Sequence, residues 1–532
     1  MTRHGRLAAI IVLLVSATGG ATRAQIFFDR PGLLPGPEIW SEAVLPLDAD
    51  GDGRLDILFV NANGWRKPGD MQAPSADPLL PTLLLQVDPP AGEKAPAFRD
   101  ATAEFLPKDL LLHGKSVAAG DFDGDGLGDL AIAVAFGARP RLLLRRLGPT
   151  RFVDAPEALP DLKLNSNGVG AGDFDDDGDL DLVFADAGPN SDRPPGGLLR
   201  LFLNDGRGRF VDASERLGAV PKIGAQNPKV VDVDGDLDLD IVLDGKSAVT
   251  QLYLNDGAAR FTLHLDMIPE CEGQPYEIEW GDLDGDLDLD AVFMNFTGTK
   301  RVKYQNIVLR NLSSETGRLG FEPIVDALKG RNLEDQNDFA LADFDDDGDF
   351  DLLVASLMGP PIEEKLFVNA GALGPASFVQ KDGAFPKIFD GSLDLTVADF
   401  DGDGRLDVVT AEGESRGAEG FRNRYYEGRG AIDSRPPRIA RTTRPIEKEK
   451  RYLCVLAQIV DASSDDGVDF IVAELCSQRE GAPEVSRTAM KPVGGGIFRG
   501  AVEVRPESKA PDRLWIEARD RAGHRTVSGA LR

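Results

Sequence analysis

A nine-residue acidic motif that recurs seven times limits this chain more than any other feature. It first reads Asp48-Ala49-Asp50-Gly51-Asp52-Gly53-Arg54-Leu55-Asp56, and its later starts lie 73, 52, 59, 50, 61 and 56 residues apart. A period of that size means one supersecondary unit copied in series, none of which can bury its apolar face alone. Asp fills motif positions one, three, five and nine in every copy. These are Asp48, Asp50, Asp52 and Asp56; Asp121, Asp123, Asp125 and Asp129; Asp173, Asp175, Asp177 and Asp181; and Asp232, Asp234, Asp236 and Asp240. The last three copies supply Asp282, Asp284, Asp286 and Asp290; Asp343, Asp345, Asp347 and Asp351; and Asp399, Asp401, Asp403 and Asp407. Position seven varies, as Arg54, Leu127, Asp179, Asp238, Asp288, Asp349 and Arg405.

Short apolar, often β-branched runs follow each motif, such as Ile57-Leu58-Phe59-Val60 and Ile241-Val242-Leu243, and read as buried strands. A second strand pair follows in most units. It is clearest where Asn204-Asp205-Gly206 and Asn255-Asp256-Gly257 each separate a pair of apolar runs, a strong hairpin signal. Weaker versions lie at 311–321 and 369–378. Four strands per unit, with no helical periodicity between them, predict a seven-bladed β-propeller over residues 25–435. The run Ile26-Phe27-Phe28-Asp29 resembles the unit-ending strands and is expected to complete the last blade, protecting its edge. Past Arg435 the motif stops and Pro436-Pro437 makes a stiff junction. Alternating strands then predict a small β-sandwich over 436–532, so the chain is all-β. Within it, Cys454 and Cys476 are expected to flank a hairpin, as a disulfide or as two buried thiols.

Carboxylates at alternate positions of a tight loop converge on one centre. Ca²⁺ takes six to eight oxygens at about 2.3–2.6 Å, and such a loop supplies them from four Asp side chains, the position-seven carbonyl and water. Glycine at position six (Gly53, Gly126, Gly178, Gly348, Gly404) permits the sharp reversal. Leu237 and Leu287 stand there in two copies, at a cost on the order of 1 kcal/mol or more if φ is positive, so those sites are expected to be weaker or differently turned. An EF-hand begins alike but needs a glutamate at position twelve and flanking helices. Position twelve is Phe59, Ile132, Phe184, Leu243, Phe293, Val354 or Thr410, and strand follows where helix should. The competing reading is of merely acidic turns, yet four gathered carboxylates repel unless a cation intervenes. Up to seven structural Ca²⁺ ions are therefore expected, reducing the formal charge from −30 to −16.

That charge argues against nucleic acid or an anionic membrane as partner. Arg3, His4 and Arg6 precede the apolar run Leu7 to Val15, and Thr22-Arg23-Ala24 offers a cleavage site, so residues 1–24 read as a secretory signal peptide. The run is too short to span a bilayer. Catalytic signals are thin: the four histidines are scattered, no Gly-x-Ser-x-Gly is present, and the Gly-Lys-Ser triplets at 114–116 and 245–247 lack the first glycine of a phosphate loop.

The stretches Asp-Phe-Asp-Gly-Asp-Gly-Leu-Gly-Asp-Leu (121–130) and Asp-Phe-Asp-Gly-Asp-Gly-Arg-Leu-Asp-Val (399–408) resemble the calcium loop of FG-GAP/VCBS repeats, and 204–210 resembles the companion turn. The resemblance covers 26–435 and implies the propeller found in integrin alpha heads and secreted bacterial proteins. The tail around 518–524 resembles bacterial Ig-like or fibronectin-type modules. Together these imply a secreted, periplasmic or cell-surface calcium-binding scaffold for adhesion, monomeric, with a protein or glycan ligand. An extracellular polysaccharide lyase or glycosidase is the alternative, since fold does not fix chemistry. A purely structural component of an envelope assembly is a third reading. Loop residues Trp65, Arg66, Lys67 and Met71 are the expected ligand contacts.

Overall fold

The computed structural model describes residues 25–531 apart from short segments at 63–76, 91, 93–94, 147–150, 189–195, 246–248, 270–274, 296–305, 331–334, 359–362, 372–374, 389–390, 414–421, 449–451, 462–470, 480–483, 505–510 and 512. The signal-like residues 1–24 and the loop bearing Trp65, Arg66, Lys67 and Met71 lie outside the described residues.

Each acidic loop joins the first and second strands of an antiparallel sheet whose strand order follows the chain. In unit 1 the strands are Ser41–Leu47, Asp56–Asn61, Thr82–Val87 and Ala97–Asp100. Five more such sheets follow, the sixth gaining a short fifth strand, Leu328–Lys329. The last contains Ser392–Ala398, Asp407–Glu412 and Arg424–Gly428, and its fourth strand is Phe27–Asp29 from the other end of the chain, as expected. Phe27 is fully buried there and stacks on Phe385 at 4.2 Å between centroids.

Apolar side chains lie between neighbouring sheets. One cluster joins Val183 and Leu201 of unit 3 to Ile241 and Leu243 of unit 4. Another joins Ile57 and Phe59 of unit 1 to Val409 and Tyr425 of unit 7. Likewise each first strand lies beside the next, and Ser41–Leu47 lies beside Ser392–Ala398. Buried side chains stitch the end of a third strand to the preceding unit's acidic loop. Asn204 Nδ2 donates to Phe122 O at 2.8 Å, Asn255 to Phe174 O at 2.9 Å and Asn369 to Leu283 O at 3.0 Å. Gln86 Nε2 of unit 1 donates to Phe400 O of unit 7 at 2.9 Å. These asparagines are thus buried donors as well as turn formers. Asn311, which opens a glycosylation sequon, is fully buried in this role.

The C-terminal residues form two sheets around one core that includes Val455, Ile459, Leu475, Phe498 and Ile516. One sheet carries Arg438–Thr442, Tyr452–Val460, Ile497–Glu503 and Lys491–Gly494; the other carries Ser486–Ala489, Val472–Gln478, Arg513–Arg519 and Arg525–Val527. The expected hairpin around Cys454 and Cys476 is absent. Their strands belong to different sheets, because each finds its partner at 497–503 or 513–519 instead, and both thiols are free and buried. No described helix is long and apolar enough to cross a membrane.

Candidate metal centres

Backbone amides hold the acidic loops in shape. The position-one carboxylate accepts from the position-six amide: Asp48 from Gly53 at 3.0 Å, Asp173 from Gly178 at 2.8 Å, Asp343 from Gly348 at 2.8 Å and Asp399 from Gly404 at 2.9 Å. Leu237 donates the same bond to Asp232 at 3.1 Å. Leu237 and Leu287 have φ of 74° and 77°, beside 85° at Gly53, so the turn is not altered at those two copies. Burial offsets the strain at Leu237, which packs among Leu239, Leu456 and Val493.

The position-five carboxylate accepts from the position-seven amide in every loop, as in Asp52–Arg54 at 2.9 Å and Asp177–Asp179 at 3.0 Å. Position nine has a second function that its place in the motif does not reveal. Both of its oxygens accept backbone amides, one from loop position two and one from the outer strands. Asp181 takes Phe174 N at 3.1 Å and Asn204 N at 2.8 Å; Asp240 takes Val233 N at 2.9 Å and Asn255 N at 2.9 Å. Asp56, Asp129, Asp290, Asp351 and Asp407 repeat the arrangement.

The loops bring their acids within reach of a single ion. Ligand oxygens of Asp48, Asp50 and Asp56 lie within 4.8 Å of one another, as do those of Asp121, Asp123 and Asp129, of Asp173, Asp175 and Asp177, and of Asp232, Asp234 and Asp236. Buried Oδ1 atoms of Asp121, Asp175, Asp284 and Asp288 have no hydrogen-bond partner. An unpaired buried carboxylate oxygen is costly, and an all-oxygen set of this kind suits a hard divalent cation. Burial first, then neighbouring acids, pushes the position-nine carboxyls up: Asp56 and Asp129 to about 7, Asp290 and Asp351 to about 8, and Asp181 and Asp240 to about 9. In two loops the position-seven side chain itself engages position five. Arg54 binds Asp52 through Nε at 2.8 Å and holds its carboxyl below the usual range, and Arg405 binds Asp403 at 2.9 Å. Position seven, expected to offer only a carbonyl, there captures a ligand side chain.

The first strands, with residues of the C-terminal sheets, line a cavity of about 830 Å³. At its wall Glu42 pairs with Lys115 of the accidental Gly-Lys-Ser triplet, Lys229 lies 3.1 Å from Glu277, and Asp338 and Asp394 accept the amides of Leu395 and Val44 at 2.9 and 2.7 Å. Each such contact bridges adjacent units, the last joining unit 7 to unit 1.

Comparison with known proteins agrees with the loops. Residues 113–140 match the FG-GAP repeat and residues 173–243 the FG-GAP-like repeat, so the chain carries repeats of this class. Among solved structures it is similar to BBS1N in complex with ARL6DN, in crystals soaked with lead and with mercury. Both are 11% identical over 76% of this chain and 97% of that one, with TM-scores of 0.42 and 0.43. No curated protein matches the chain.

Proposed function

We propose that residues 25–435 form a closed seven-bladed β-propeller with Ca²⁺ in its acidic loops, and that residues 436–532 form an Ig-like β-sandwich. We further propose that the exported protein is a binding scaffold for a protein or glycan. The partnerless buried oxygens of Asp121, Asp175, Asp284 and Asp288 carry the metal reading, because each needs a cation or a proton. Closure is supported by the bonds from Gln86 to Phe400 and from Val44 to Asp394, and by the pairing of Phe27–Asp29 with Arg424–Gly428. Asp48, Asp50, Asp52 and Asp56 and their counterparts in the other loops would hold the ions, which supply fixed positive charge and bind each hairpin. In that role the metal is structural, and the face opposite the acidic loops is left for recognition.

The test is a glycan and matrix-protein array probed with the purified chain in 2 mM Ca²⁺ and in chelator. Calcium-dependent retention of one ligand class supports the scaffold; no retention on any surface in calcium counts against it. A carbohydrate-active enzyme is favoured by one observation only, the adjacent Asp338 and Asp394 at the cavity wall, whose carboxyls burial holds above the ordinary range, with the neighbouring Asp394 adding to the rise at Asp338. Polysaccharide cleavage abolished by Asp338→Asn would replace the scaffold reading.

A further inference from the structure

Four loops depart from the glycine pattern, and residues from Ser434 onward touch all four. Position four is glycine in five loops but Asp176 and Asp346 in the third and sixth, held at φ of 54° and 60°. A Cβ-bearing residue there costs on the order of 1 kcal/mol relative to glycine, so a compensating contact is expected. Arg499 supplies it for Asp176: Nη2 donates to the carbonyl at 3.0 Å, and Nε lies 3.3 Å from the carboxylate. Asp346 receives the Ser434 amide at 3.2 Å, the Ser434 hydroxyl, and Arg435 at 3.6 Å. Leu237 and Leu287, the two departures at position six, meet the same C-terminal segment. Leu237 shares a core with Leu456, Val493 and Ile497, and the Leu287 carbonyl accepts from Arg441.

A second feature points the same way. Gly494, Gly495 and Gly496 are consecutive and all have positive φ. A Cβ on Gly494 would lie 2.9 Å from Ala171 O, and one on Gly495 would lie 2.8 Å from Leu239, so this hairpin fits against the inner strands of units 3 and 4 only because it is glycine. Val493 O accepts the amide of Asp173 at 2.9 Å beside it, and Gly494 to Gly496 line the cavity.

We propose that the paired C-terminal sheets are a metal-dependent lid on the acidic-loop end of the central cavity, latched by Arg499 on Asp176 and by the Ser434-Arg435 junction, which leads into the sheets, on Asp346. This rests on the metal reading above. The third loop holds six aspartates and stays strongly negative with one divalent ion bound, so arginine attraction survives loading. Removing the ion leaves those carboxylates to repel, the loop spreads, and the latch geometry goes with it. With the lid shut, a ligand reaches the cavity from the end where the first strands begin.

The experiment is deuterium exchange of the full chain, reading the Asp173 amide against control amides in Asp181–Asp186, with small-angle scattering for compactness and metal analysis for occupancy. In calcium the wild type is expected to be compact and protected at Asp173. D176G/D346G in calcium is expected to exchange there at least tenfold faster with control amides unchanged, although both substitutions relieve backbone strain. Chelation of the wild type is expected to give the same local loss and a larger radius of gyration. Equal Asp173 exchange in wild type and D176G/D346G would overturn the latch. A chain that analysis shows to carry its ions, yet keeps full Asp173 protection once stripped, would overturn the metal dependence and leave the metal reading standing. A chain that binds no ion would overturn the metal reading, and the double variant alone would then decide the latch.

Discussion

Within one acidic loop, positions three and nine carry different loads. Asp175 at position three has an orphaned oxygen, whereas Asp181 at position nine satisfies two backbone amides. Asp175→Asn should therefore lower the melting temperature in calcium but not in chelator. Asp181→Asn should lower it in both, because an amide nitrogen would face an N–H, and an unsatisfied buried donor costs about 1–3 kcal/mol. Differential scanning calorimetry of the two variants checks the contrast. The raised carboxyls set a pH dependence for the metal-free chain. Groups titrating at about 7 to 9 in the fold, against an ordinary value near 4, favour the protonated fold. Their contribution is complete below about pH 4 and is lost as pH rises through 7 to 9. Melting in chelator should thus fall between pH 6 and pH 9. In calcium, which needs ionised ligands, the gap over the chelated form should widen across the same range. A calcium gap that narrows toward pH 9 would contradict this assignment.

At the scale of strands, the N-terminal segment is the closing element of the ring we propose. Phe27 is wholly buried between Phe385 and Phe344, so Phe27→Ala should cost about 3–5 kcal/mol in urea unfolding. Deleting residues 25–30 should expose the edge of Arg424–Gly428 and promote association, measurable by light scattering. Much at this scale is legible in the sequence because it is local. The acidic motif marks the link between first and second strands, Asn-Asp-Gly marks the link between third and fourth, and the stray Phe27–Asp29 strand betrays its distant partner by likeness to other unit ends. What the motif does not disclose is contact between units. The outward role of Asn204, Asn255 and Asn369 depends on a carbonyl about 80 residues earlier, and local turn chemistry already explains an asparagine. The cysteine hairpin failed for a related reason: two strands adjacent in sequence each pair with a later strand, as in a sandwich that crosses between sheets.

For the whole molecule, the face to which we assign the metal also carries the contacts to the C-terminal sheets. Arg438 lies 2.5 Å from Asp282, Arg441 lies 3.8 Å from Asp232, and Lys491 lies 3.8 Å from Asp121, so basic side chains of the C-terminal sheets meet loops whose motifs present them as independent. Nothing in the motif signals this, since a basic residue many positions away leaves no local pattern. Only the departures at Asp176, Asp346, Leu237 and Leu287 hint that those loops face protein rather than solvent. Calcium should then act on the chain as one body. At 10 mM, sites with dissociation constants of roughly 0.1–1 mM would each add about 1.4–2.7 kcal/mol to stability. The most direct measurement is equilibrium dialysis with metal analysis, paired with thermal melts in 10 mM Ca²⁺ and in EDTA. The account predicts several bound ions per chain, up to seven, with a large rise in melting temperature. No ion above the buffer level, with superimposable melts, would contradict it.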